Sequence, residues 1–191
     1  MISKFASLML LCLQALPVWV ALRGLWLIVM RPPLRFAREA VLGIFVIFMT
    51  AVLCMALDGH WQSPGAMLDA ALTRLRTMEK INLVPLRTAG PQLLTFTSAN
   101  SLTQLLGNTL LFVPWGFFLP LLWRSFRRIG RMALMALGLT LFIECTQLFI
   151  DRYVEIDDVL LNFLGSMAGT GLWWCVHRRF PRLDKHLLNA T

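Results

Sequence analysis

Carboxylate and amide side chains concentrate in one short stretch of this chain, between two long apolar runs. Five of its ten Asp and Glu residues lie within positions 144–158. Side chains of this kind are costly to place inside an apolar segment. Where they occur in membrane proteins they face the protein interior or a wet cavity, and by default they mark function. We therefore expect the functional site here. The five acidic residues are Glu144, Asp151, Glu155, Asp157 and Asp158.

Helical spacing divides this stretch into two polar faces. Glu144 and Gln147 fall at i and i+3 on one helix, and Asp158 and Asn162 at i and i+4 on the next, so each pair shares a face. The short link makes the two helices antiparallel neighbours whose polar faces can meet. At a rise of 1.5 Å per residue, Glu144 lies about 9 Å inside its span. A third amide, Asn108, is expected at a similar depth from the preceding helix.

Two kinds of chemistry suit these residue types. The acidic and amide groups can bind a ligand by accepting hydrogen bonds from its hydroxyls or amides. Alternatively, a partly buried Glu144 can serve as general acid or base, with Asp157 and Asp158 holding a divalent cation against a phosphate. Glu144 needs a partner when buried, and Arg152 is the expected one. Asn108 and Asn162 can instead be interhelical hydrogen-bond links, and Asp151 and Glu155 are interpreted as solvated charges.

The composition predicts that these residues sit in a membrane protein. Hydrophobic residues make up 58% of the chain and only 15% are charged, against about 25% in soluble domains. Mean hydropathy is +0.68. We predict an all-α helical bundle with about five transmembrane helices and one interfacial amphipathic helix. By the rule that about twenty apolar residues cross the hydrocarbon, the spans are roughly 5–29, 39–57, 102–123, 132–150 and 159–176.

The basic residues predict the orientation of the bundle. The net charge is +8, but the basic residues do not form a face interleaved with aromatics, so nucleic acid is excluded as a partner. They cluster beside the spans instead, which is the positive-inside pattern. It predicts a cytoplasmic C-terminus and an outward-facing acidic link. The clusters are Arg31, Arg35 and Arg38; Arg124, Arg127, Arg128 and Arg131; and Arg178, Arg179, Arg182 and Lys185.

The long second connection, 58–100, would then lie outside. Within it, apolar residues from Met67 to Met78 recur at helical spacing after Ser63-Pro64. This pattern predicts a helix in the outer interface or, equally, a cap over the bundle. On this basis we divide the chain into an N-terminal pair of spans with that loop helix (1–80), a core of three spans (81–176) and a basic cytoplasmic tail (177–191).

The third span carries helix-breaking residues. Pro114 and Pro120 interrupt its hydrogen-bond ladder, and the freed carbonyls need partners from neighbouring helices or water. Ser101 and Gln104 have the spacing of a capping box at its start. Gly165 and Gly169 on the last span predict a close-packing face. The four Cys residues lie within spans and the three His residues are scattered, so we expect neither a metal site nor another cofactor.

Several motifs together resemble the VanZ-like family of bacterial multi-spanning membrane proteins. They are Asn82-Leu83-Val84-Pro85, the segment from Asn108 through Pro114 to Phe117, Glu144-x-x-Gln147 followed by Arg152, and Asp157-Asp158-x-x-x-Asn162-x-x-Gly165. The resemblance covers about 80–175. It implies a protein of the cell envelope in the bacterial inner membrane. The family's founding member is associated with resistance to the glycopeptide antibiotic teicoplanin.

Combining spacing and resemblance, we expect an outward-facing pocket for a lipid or cell-wall precursor head group, or for an amphiphilic glycopeptide. The alternative is an intramembrane enzyme acting on a lipid-linked substrate. A stand-alone transporter is disfavoured because the spans show no internal repeat. Membrane lipids are the expected partners. The predicted ligand-binding residues are Asn82, Asn108, Glu144, Gln147, Arg152, Asp157, Asp158 and Asn162, and Glu144 is the candidate catalytic residue.

Overall fold

The computed structural model describes residues 17–26, 28–29, 36–58, 61–94 and 99–180, with backbone alone for 92–94 and 99–104. The fold is all-α, as predicted. Residues 17–26 form α1, and 28–29 are also helical. The other elements are α2 (Phe36–Ala56), α3 (Pro64–Thr77), β1 (Ile81–Asn82), α4 (Ala89–Leu94), α5 (Ala99–Leu122), a 3-10 turn (Arg124–Arg127), α6 (Ile129–Phe149), β2 (Val154–Glu155) and α7 (Ile156–Arg179).

Four helices among the described residues are long and apolar enough to cross a membrane. They are α2, the Leu105–Leu122 part of α5, α6 and α7. The prediction of an all-α membrane bundle is therefore confirmed. Residues 5–16 and 27 of the first predicted span, 5–29, lie outside the described part of the chain, as do residues 181–191 of the predicted basic tail. The predicted capping box at Ser101 and Gln104 likewise falls on side chains outside it.

Helices α5 and α7 run parallel and approach unusually closely. A Cβ atom added to Gly165 would lie 2.0 Å from the carbonyl oxygen of Thr109, and one added to Gly169 would lie 1.9 Å from that of Val113. These distances leave room for hydrogen alone, so glycine is required at both positions. The predicted close-packing face exists. It fixes the depth of α7 relative to α5, and with it the relative depths of Asp158 and Asn108.

The carbonyl freed by Pro120 finds a partner on the neighbouring helix. Pro120 has no N–H to donate to the carbonyl of Gly116, one turn earlier. The hydroxyl of Thr170 on α7 lies 3.1 Å from Gly116 O and 3.0 Å from its own helix's Ser166 O, and shares its hydrogen between them. The expectation that a neighbouring helix supplies the missing donor is confirmed at this position.

The two ends of the bundle differ in chemistry. At one end, Phe45 and Met49 of α2 pack against Leu119 and Leu122 of α5 and Met132 of α6. We call this the arginine-rich end, because the chain beside it carries Arg124, Arg127, Arg128, Arg131, Arg178 and Arg179. The opposite end holds the C-terminal part of α2, the end of α6 and the start of α7. We call it the acidic end.

The loop helix and the link between α6 and α7 are joined at the acidic end. Strands β1 and β2 form a two-residue parallel pair, with Ile81 opposite Val154. Arg74 of α3 donates to the carbonyl oxygen of Leu148 and pairs with Asp151 at 2.8 Å, and Lys80 pairs with the same carboxylate at 2.7 Å. The interpretation of Asp151 as a solvated charge was wrong. The long loop folds back and brings it two cations.

The predicted loop helix is α3, and in the structure one of its faces packs on the bundle while another is exposed. Ala71 is buried against the bundle, whereas Leu68, Leu72 and Leu75 are about half exposed, at 51%, 42% and 54%. Pro64 begins the helix after Ser63, as expected. An exposed apolar row on a helix fixed to the rim of a membrane bundle is the pattern of an interfacial segment.

Candidate functional site

A cavity of about 190 Å³ opens among the helices at the acidic end. It lies between the last two turns of α2, the Asn108–Phe112 part of α5, the end of α6 and the start of α7. One wall is polar and brings together six of the eight predicted ligand-binding residues. These are Asn108, Glu144, Gln147, Arg152, Asp158 and Asn162.

The other wall of the cavity is apolar. It is formed chiefly by α2, with contributions from α5 and α6, and its residues are Val52, Met55, Ala56, Leu111, Phe112 and Ile143. Sequence reasoning missed this wall, because α2 is a uniformly apolar span whose side chains carry no signal of a site. A cavity lined by six polar and six apolar residues suits a ligand that is itself amphiphilic.

Glu144 is the most buried acidic group in the polar wall. It is 4% exposed. Its Oε2 accepts the backbone N–H of Glu155 at 3.0 Å, whereas Arg152, the expected partner, makes its hydrogen bonds to carbonyl oxygens at the end of α2. The link bends back over the end of α6 and presents a backbone donor instead. Its other oxygen, Oε1, has no hydrogen-bond partner among the described residues.

Asn162 repeats this arrangement on the facing helix. It is 6% exposed, and its Nδ2 donates to Thr140 Oγ1 on α6 at 3.4 Å. The amide therefore links α6 and α7, which agrees with the interpretation of Asn162 as an interhelical hydrogen-bond link. Its Oδ1, however, is buried without a partner in the described part of the chain. Two residues that line the cavity, one on α6 and one on α7, thus each have a buried acceptor oxygen without a donor in the described part of the chain.

Asn108 and Asp158 connect α5 to α7. The amide Nδ2 of Asn108 donates to Asp158 Oδ1 at 2.6 Å, a short bond of the charge-assisted kind. Asp158 also lies in the first turn of α7, where the helix dipole favours negative charge. Asp158 therefore belongs both to the helix contact and to the cavity wall.

Gln147 and Arg152 hold the C-terminal end of α2 against the site. Gln147 Nε2 donates to the carbonyl oxygen of Ala56 at 3.0 Å. Arg152 Nη1 donates to the carbonyl oxygens of Met55 at 3.1 Å and Asp58 at 3.2 Å. The last carbonyls of a helix have no partners within it, so these side chains cap α2. Arg152 thereby lies at the rim of the cavity, in the link that follows α6.

The remaining two predicted site residues do not line the cavity. The Asp157 carboxylate is 2% exposed and accepts the backbone N–H groups of Leu86 at 2.6 Å, Thr88 at 2.9 Å and Ala89 at 2.9 Å. Asn82 Nδ2 donates to Thr88 Oγ1 at 3.1 Å. Asp157 thus holds segment 86–89 against the start of α7, whereas the Asn82 side chain bonds within segment 82–89 itself.

The two adjacent aspartates, Asp157 and Asp158, contact different parts of the protein. Both oxygens of Asp157 are taken up by backbone N–H groups, whereas Asp158 contacts Asn108 and the cavity. The structure therefore does not bring them together as a joint cation site. Within the described ranges, no group of three or more His, Cys, Asp or Glu side chains is placed to hold a metal ion.

A protein-family model described as VanZ/LLP1 matches residues 43–177. The match takes in most of α2, all of α3 and the three later spans up to residue 177. No curated protein and no solved structure matches the chain.

Proposed function

The chain belongs to the VanZ/LLP1 family, and from that premise we propose that it is an envelope protein whose cavity binds the polar head group of a lipid or a lipid-linked cell-wall precursor. The protein would lie in the bacterial cytoplasmic membrane with its C-terminus inside. The arginine-rich end then faces the cytoplasm by the positive-inside rule. The cavity, at the opposite end, faces outward.

One observation carries this proposal. Glu144 and Asn162 both line the cavity, and each has a buried acceptor oxygen, Oε1 and Oδ1 respectively, without a donor within the described residues. A buried polar group without a partner costs about 1–3 kcal/mol. A ligand that brings hydroxyl, amide or ammonium hydrogens into the cavity removes this cost, and the apolar wall formed by α2 suits the part of an amphiphile nearest its head group.

The size of the cavity favours a head group over a glycopeptide. Pockets that enclose drug-sized molecules measure about 300–1,000 Å³, and this cavity is smaller, at about 190 Å³. It has room for the polar end of a lipid, whose chains remain in the membrane. A glycopeptide of many residues and sugars would contact only the rim.

The enzyme hypothesis depends on the same atom. Glu144 lines the cavity, and as a general acid or base it would exchange a proton with a bound lipid head group. The two functions differ in outcome. A binding protein returns the lipid unchanged, whereas an enzyme releases a product that accumulates with time.

Binding of lipids to purified protein tests the proposal. We expect native mass spectrometry to show a lipid-bound species whose abundance falls at least about tenfold in Glu144→Gln. Glu79→Gln makes the same chemical change on an exposed residue outside the cavity and should leave binding unchanged. Equal lipid occupancy in the two variants would refute the proposal. Time-dependent conversion of the bound lipid would establish the enzyme in place of the binding protein.

A further inference from the structure

Three charged residues line the cavity: Glu144 in its interior, and Asp158 and Arg152 near the end of the helices. We propose that the ligand is a zwitterionic phospholipid whose head group ends in a primary ammonium, as in a phosphoethanolamine lipid. The ammonium contacts Glu144 Oε1 and Asn162 Oδ1, and the phosphate contacts Arg152. This inference rests on the proposed function, because it names the lipid class for the same cavity.

The interior of the cavity favours a ligand group that is positively charged and donates hydrogen bonds. Glu144 lies five residues before the end of α6 and Asn162 six residues after the start of α7, so both are about 7–9 Å inside the bundle. A carboxylate at this depth is stabilised by an opposite charge that also donates hydrogen bonds. A primary ammonium has three N–H donors and a positive charge. A hydroxyl offers one donor and no charge.

The rim of the cavity calls for an anion. Arg152 is half-buried in the link between α6 and α7 and lines the cavity. Within the described residues, both of its hydrogen bonds use the single nitrogen Nη1. The donors on Nη2 and Nε are left for a ligand, and a guanidinium held by one nitrogen is well placed to bind a phosphate with the others. Phosphate outside and ammonium inside match the two ends of a phosphoethanolamine group.

The apolar wall gives the acyl chains a path. Met55 lines the cavity and is 49% exposed, next to the end of α2. Because α2 is a candidate membrane span, its exposed surface faces hydrocarbon. Lipid chains can therefore lie along α2 while the head group occupies the cavity.

Other head groups fit this charge pattern less well. An anionic lipid without an ammonium would bring its negative charge toward Glu144 and Asp158, and among the described residues that line the cavity only Arg152 would balance it. A choline head group has the right charges, but its quaternary nitrogen carries no N–H. The affinity of a phospholipid for the cavity should therefore depend on the number of N–H donors on its ammonium.

Stepwise methylation of the head group tests this inference on the wild-type protein. The probes are phosphatidylethanolamine, its N-methyl and N,N-dimethyl derivatives and phosphatidylcholine, all with the same acyl chains, titrated in native mass spectrometry. We expect affinity to fall along the series, by at least about tenfold in all. Water-soluble glycerophosphoethanolamine should bind far more weakly than the lipid, and equal affinity would refute the lipid assignment.

Two variants with matched controls locate the contacts. In Glu144→Gln the affinities of the four lipids should become nearly equal. In Glu79→Gln affinity should still fall along the series, as in the wild type. Arg152→Gln should weaken all four phospholipids by a similar factor of about five or more, and the exposed Arg76→Gln should not.

The possible failures are distinct. If the four lipids bind equally to the wild type while Glu144→Gln weakens them all, the cavity binds lipids but the ammonium assignment is wrong. If an anionic lipid binds more tightly than phosphatidylethanolamine, the inference is equally overturned. If Glu144→Gln changes no lipid's binding, the proposed function fails together with the inference.

Discussion

Replacing Asp157 by asparagine should release the outer segment 82–89 from the bundle. The Asp157 carboxylate accepts three backbone N–H groups, from Leu86, Thr88 and Ala89, at 2.6–2.9 Å, and is 2% exposed. It also holds Leu86 at a positive φ of 62°, a conformation that costs a branched residue about 1 kcal/mol or more. In the Asp157→Asn variant one of the two acceptor oxygens becomes an NH2 group, which faces N–H donors.

The size of the effect follows from these contacts. Hydrogen bonds to a charged acceptor are worth about 1.5–3 kcal/mol each, and the bond from Ala89 is buried while those from Leu86 and Thr88 are partly buried. The substitution breaks one or two of the three bonds and weakens the rest, so we expect a loss of about 2–4 kcal/mol. Because the contacts are confined to one segment, the loss should appear first as local opening.

Hydrogen–deuterium exchange is the assay for this prediction. We expect faster exchange at the amides of Leu86, Thr88 and Ala89 in Asp157→Asn, together with a lower melting temperature. Asp69→Asn makes the same change on the exposed face of α3 and serves as the control. Exchange at 86–89 that is as slow as in the wild type would refute the reasoning, because it would show that other contacts hold the segment.

Three further substitutions test the packing. Gly165→Ala should destabilise the bundle by about 1–3 kcal/mol or prevent its assembly, because its Cβ would lie 2.0 Å from a carbonyl oxygen. Gly171→Ala is the control, because a Cβ there would have no atom within 4 Å. Equal unfolding midpoints for the two variants would contradict the close approach of α5 and α7. Thr170→Val should cost about 1 kcal/mol in unfolding assays, because the carbonyl freed by Pro120 loses its donor, and an unchanged midpoint would show that this bond adds nothing. Asp151→Asn should change global stability by under about 1 kcal/mol, since the carboxylate is 38% exposed, yet it should speed exchange in α3, and unaltered exchange there would mean that the ion pairs do not hold the helix.

Much of the polar wall could be predicted from sequence because it follows from helical phase. Glu144 with Gln147, and Asp158 with Asn162, share faces by spacing alone, and a short link forces the two helices together. An acidic or amide residue in an apolar span has few other places to point. The structure brings these four residues to one cavity with Asn108 and Arg152.

The contacts that sequence reasoning missed are made by backbone atoms. Asp157 binds N–H groups of a segment some seventy residues earlier, and Gln147 and Arg152 bind carbonyls at the end of α2. Every residue has such groups, so residue types carry no signal of which ones will be used. Asp151 was misjudged for a related reason, since its cations come from a long loop whose fold helical periodicity does not determine.

The central claim is that a lipid head group occupies the cavity at the acidic end, and an experimental structure of the protein in phosphatidylethanolamine-containing bilayers tests it most directly. The account predicts head-group density in the cavity, with a donor atom at about 3 Å from Glu144 Oε1. A well-resolved cavity that holds only solvent at saturating lipid, with lipid bound elsewhere on the surface, would contradict it.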